Sequence, residues 1–126
     1  MPIEVSVDES AGMVLLRLTG AITFADFQRA RADVQATPGW SAHYAHVLDF
    51  TQITALELSH DEVEKLASAT PIFAPDALQV LVARSGSVHF GLSRMFEAYA
   101  DGKRAVRVVA TLEQAKAVVA EHRRTS

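Results

Sequence analysis

Residues 81–101, LVARSGSVHFGLSRMFEAYAD, constrain the fold more than any other part of the chain, because an apolar run too short for a helix passes through a Ser/Gly turn into a long amphipathic stripe. Leu81, Val82 and Ala83 belong to a buried strand expected over residues 78–83. Val88, Leu92, Met95, Phe96 and Tyr99 then recur at the spacing of a single helix face, and Gly102 supplies a C-terminal stop. Strand, turn and helix make a βα unit. Units of this kind placed in series lay their strands parallel in one sheet, since the crossovers are right-handed. Open sheets of that type bind ligands at the carboxyl ends of their strands, where this segment places Ser85, Ser87, His89 and Arg94.

The remainder of the chain extends the series in both directions. Ile3, Val5 and Val7 alternate with Glu4, Ser6 and Asp8, the period of an edge strand with one face in water. Residues 13–18 are apolar at nearly every position, and the short turn between the two runs predicts an antiparallel hairpin. Thr23 is placed to cap a helix carrying Phe24, Phe27, Ala30 and Val34 at helical spacing, which ends before Pro38 and Gly39. AHVLDF, residues 45–50, reads as a short buried strand with Asp49 near its end. Ser59 with Glu62 forms a capping box for a short helix bearing Val63, Leu66, Ala67 and Thr70, stopped by Pro71. A last strand over residues 105–110 precedes a second capping box, Thr111 with Gln114, and a helix facing inward through Leu112, Ala115, Val118 and Val119. The order predicts one α/β domain over residues 1–126: a mixed five-stranded sheet, first strand antiparallel and the rest parallel, with four helices.

Composition narrows the partners. Hydrophobic residues make up 49% and charged residues 21%, the profile of a chain that buries a core. Fifteen acidic and 12 basic residues are mixed along the chain for a net charge of −3, so no basic field is present to hold a phosphate backbone and nucleic acid is not an expected partner. Lys103, Arg104 and Arg107, and the pair Arg123 and Arg124, read as a solvated face and a frayed end. With no cysteine, disulfides, thiolate nucleophiles and Cys-based metal sites are excluded. MPIEVSVDES has neither the basic start nor the apolar run of a signal peptide, and no segment approaches the ~20 apolar residues of a membrane span. The expectation is a cytoplasmic protein without membrane insertion.

Few residues carry candidate chemistry. Asp49 is the one acid in a strongly apolar context, readable as a general base or ligand anchor, or as a structural carboxylate accepting N–H groups from residues 51–54. No second acid stands at a spacing that would pair with it. His43 and His46 are three apart at a strand entrance and fall on opposite faces of an extended chain, while His60 and His122 are expected to face solvent; no metal site follows. Ser85, Gly86 and Ser87 lack the spacing of a phosphate-binding loop, a dinucleotide fingerprint or a nucleophile elbow, and read as turn and cap. Off the buried stripe of the same segment lie His89, Phe90, Ser93, Arg94 and Glu97. Phe90 is an aromatic ring off the core stripe, readable as a contact for a partner, a ligand or a second copy, or as packing under a neighbouring loop; Arg94 follows it by one helical turn, so on the first reading the two frame one end of a recognition surface.

The strand order, the VLDF run before a loop and a capped helix, and the ARSGSVHFGLSRMFEAY segment resemble the SpoIIAA-like proteins, small bacterial members of the STAS-type (anti-sigma factor antagonist) fold. The similarity spans about residues 5–122 and implies a compact α/β domain with strands laid in sequence order. It also implies a phosphoacceptor hydroxyl in an Asp-Ser-x-Gly motif where the helix after the third strand begins. Here that region is Glu57-Leu58-Ser59-His60-Asp61: Ser59 falls close to the position, the glycine is missing, and the acid is Glu57. Taken together, the residues and the resemblance predict a non-catalytic binding or regulatory module that acts by protein contact or self-association, for instance as a homodimer, with no catalytic residue and no cofactor. The alternative is binding of a small ligand, an apolar or acidic metabolite or a lipid, in a pocket at the carboxyl ends of the parallel strands lined by Asp49, Ser59, Ser85, Ser87 and Arg94.

Overall fold

The structure, a computed structural model, describes residues 2–68, 72–84 and 106–125. In chain order they form β1 (Ile3–Asp8), β2 (Met13–Thr23), α1 (Phe24–Ala36), β3 (Ala45–Glu57), α2 (His60–Ser68), β4 (Gln79–Val82), β5 (Val106–Val109) and α3 (Leu112–Thr125). The strands lie in the order β1-β2-β3-β4-β5, with β1 antiparallel to β2 and every later pair parallel. The mixed five-stranded sheet is therefore the one that the hydrophobic periods predict. Three helices are present among the described residues; the helix expected to begin at Val88 lies outside them.

Each described helix starts where its sequence supplies an oxygen for the free N–H groups of the first turn. Thr23 Oγ1 accepts from the Asp26 N–H at 3.3 Å while Asp26 Oδ2 accepts from the Thr23 N–H at 2.9 Å. Ser59 and Glu62 exchange the same pair of bonds at the start of α2, and Thr111 and Gln114 do so at the start of α3. The hairpin turn is set by Asp8, whose Oδ1 accepts from the Ser10 hydroxyl at 2.7 Å and the Ala11 N–H at 3.1 Å. Those two bonds, the hydroxyl first, hold the Asp8 carboxyl below the usual carboxylate range.

The sheet has two unequal layers. Ile3, Val14, Leu16, Leu18, Ile22, Leu48, Phe50 and Leu81 belong to one core cluster with Ala30 and Val34 of α1, which packs on β1 and β2. Met13, Ala45, Val47, Val80 and Val82 face the other way, and α3 covers them with Ala115 and Val119. Helix α3 packs on β3, β4 and β5. On the same side Glu4, Ser6, Arg17 and Thr19 of β1 and β2 are exposed.

Two strands are longer than their apolar runs. β2 continues from Leu18 to Thr23, and β3 runs past Phe50 to Glu57, so the short strand expected over residues 45–50 is a correction. The extensions pair with each other, from Thr19↔Gln52 to Thr23↔Glu57, whereas β4 pairs with β3 only from His46 to Asp49. Register slips twice along the way. β2 advances from Arg17 to Thr19 while β3 advances from Asp49 to Gln52, and one further residue is inserted in β3 opposite Gly20 and Ala21. Gly20 meets the second slip with a φ of +74°, in the left-handed region.

The C-terminal turn of α3 is also better held than its basic sequence suggests. His122 is partly buried, with Nε2 3.4 Å from the Asp76 carbonyl oxygen, because it continues the inward stripe of Ala115 and Val119. Arg123 donates from Nη1 to the Ser10 carbonyl at 2.9 Å, tying the helix to the β1–β2 turn. Its guanidinium lies over Gly12, where a Cβ would stand 3.1 Å from Cζ. Gly12 has a φ of +63°.

Two stability predictions follow from this packing. Gly12→Ala and Gly20→Ala both force alanine into the left-handed region, at about 1–2 kcal/mol each, but only the first displaces Arg123, since among the described residues no atom beyond its chain neighbours lies within 4 Å of a Cβ at Gly20. Urea denaturation is expected to rank Gly12→Ala as the costlier change, with the excess disappearing in an Arg123→Ala background. Gln79, 5% exposed and beside His46 across β3 and β4, buries its Oε1 without a hydrogen-bond partner among the described residues. Gln79→Leu should raise the unfolding free energy by about 1 kcal/mol; a fall in the urea midpoint would contradict this account of the oxygen.

Candidate functional site

Asp49 stands at a step in the sheet. Its register partners are Arg17 on β2 and Val82 on β4. β4 ends at Val82 and β5 at Val109, and β1 pairs one residue further, Ile3 with Leu18, so among the described residues β2 and β3 alone run on from there. The row is the carboxyl rim of the two shorter strands, the position at which an open parallel sheet presents its loops. Arg84, exposed, carries the chain away from β4 beside it.

The carboxylate itself is 5% exposed and committed to its own strand. Asp49 Oδ1 accepts from the Thr51 N–H at 2.9 Å and from the Thr51 hydroxyl at 2.7 Å. The first register slip explains the arrangement: an inserted residue takes a backbone N–H out of the ladder, and an uncompensated buried donor is costly. Asp49 supplies the missing acceptor. Of the N–H groups that sequence offered from residues 51–54, one, that of Thr51, is donated to Asp49, and these residues are strand, where a loop was expected. Chemically, an oxygen engaged twice by Thr51 anchors the bulge.

Ser59 is exposed and caps α2, its Oγ accepting from the Glu62 N–H at 3.1 Å. It does not share a site with Asp49. The stretch of β3 from Asp49 to Glu57 spans roughly 25 Å of extended chain at the usual strand rise, and Ser59 lies beyond it. Ser85, Ser87, His89, Phe90 and Arg94 lie outside the described residues.

The histidines that sequence spacing excluded as a metal site lie nearer the amino ends of the strands and of α2. His46 is 3% exposed and its ring stacks on Phe73 at 3.9 Å between centroids, with Trp40 edge-on to the other partner at 5.8 Å. His43 stays exposed in the turn before β3, with Nδ1 3.4 Å from Asp76 Oδ1. Its proximity to His46 in sequence had suggested opposite faces of one strand; only His46 belongs to the strand. His60 is exposed at the first position of α2, as expected. Arg17, the one charge within residues 13–18, is the signal by which a polar row across β1, β2 and β3 was visible, since Glu4, Arg17 and Asp49 are successive register partners. Among the described residues no three His, Cys, Asp or Glu side chains converge as a metal site, and no helix is long and apolar enough to cross a membrane.

Compared with known proteins, the chain matches no family model and no curated protein.

The contacts of Asp49 predict a graded response. Asp49→Ala should cost about 2–3 kcal/mol, because it leaves the Thr51 N–H without its charged acceptor. Thr51→Val, which removes the hydroxyl bond and keeps the N–H bond, should cost about 1 kcal/mol, and Asp49→Asn should fall between the two. Equilibrium urea unfolding monitored by the fluorescence of Trp40 measures all three.

Proposed function

We propose that the chain is a SpoIIAA-like, STAS-type binding or regulatory module that acts without catalysis, through contact with a protein partner or a second copy of itself. The observation that carries this reading is the commitment of the two described candidate polar groups to the fold: Asp49 Oδ1 holds the β3 bulge, and Ser59 serves the capping box of α2. A general base or nucleophile needs its reactive atom poised toward a substrate, and these atoms are poised toward backbone and neighbouring side chains. Support for the family comes from the element order, from strands in sequence order with only the first antiparallel, and from a capped helix following the VLDF strand. The contact surface is assigned to Phe90 and Arg94, which sequence periodicity places off the buried stripe of their segment.

Light scattering after size-exclusion chromatography, together with a pull-down from the source lysate, tests this reading. The expected result is a dimer or a captured partner that is lost in Phe90→Ala and Arg94→Ala. A strict monomer whose captured proteins are unaffected by either substitution would overturn it.

A small-ligand reading is favoured by one feature, the placement of Asp49 at the carboxyl rim of β4. On that reading, native mass spectrometry of the purified protein is expected to show a bound mass that Asp49→Asn weakens. Empty protein, unstabilised in a thermal-shift screen of carboxylic acids and fatty acids, would exclude it.

A further inference from the structure

We draw no further inference here: the strongest candidate, the edge of β3 from Thr51 to Glu57 that overruns β4, is interrupted by register slips against β2, and nothing in the structure shows what covers it.

Discussion

The parallel pairing of β2 with β3 is the constraint on which the rest of the molecule depends. It is the longest ladder in the sheet, from Met13↔Ala45 to Thr23↔Glu57, and both strands are interior to the order, so β1 is attached through β2 and β4 through β3. Parallel pairing also requires a crossover, which α1 provides, and the crossover must lie on one face. The burial of Ala30 and Val34 in one cluster with Leu16 and Leu18 of β2 is the consequence. One backbone pairing thus determines which side of the sheet the first helix covers.

The same pairing is where sequence and structure part. Regular alternation in residues 3–7 and the apolar run over residues 13–18 made the hairpin legible, because side-chain burial on a strand has a period of two. Caps at Thr23, Ser59 and Thr111 were legible because a hydroxyl just before an apolar-periodic run is a local signal, reinforced at Ser59 and Thr111 by Glu62 and Gln114 three residues later. The extensions were not. Thr19 to Thr23 and Thr51 to Glu57 mix threonine, alanine and glycine with isolated large apolar residues, and what makes them strands is each other, across a sequence gap that no local pattern reports. Register slips deepen the difficulty, since an inserted residue shifts the alternation on which a strand reading relies.

For the candidate site the outcome divides in the same way. Asp49 was visible as a lone acid among Val47, Leu48 and Phe50, and acceptance of N–H groups from residues 51–54 was one of its two readings, of which the bond to the Thr51 N–H is seen. Its separation from Ser59 was hidden by the underestimated length of β3: a loop would have allowed the two to meet, whereas a strand carries them apart. The burial of Gln79 and the stacking of His46, a residue weighed only as a metal ligand, escaped notice because polar residues inside apolar strands are identified by their neighbours in space. His46 is buried by Phe73, which comes from a loop far along the chain.

Helix α3 has a consequence for how the protein is made. Val47, Val80 and Val82 lie on a face whose helical cover, Ala115 and Val119, is synthesised only after β5. During translation the α1 side of β1 and β2 has its packing partner early, whereas this second face must wait for α3 to leave the ribosome. Until then its valines are open to chaperones or to other nascent chains, and the arrival of Arg123 at the β1–β2 turn ties α3 to a hairpin made more than a hundred residues earlier.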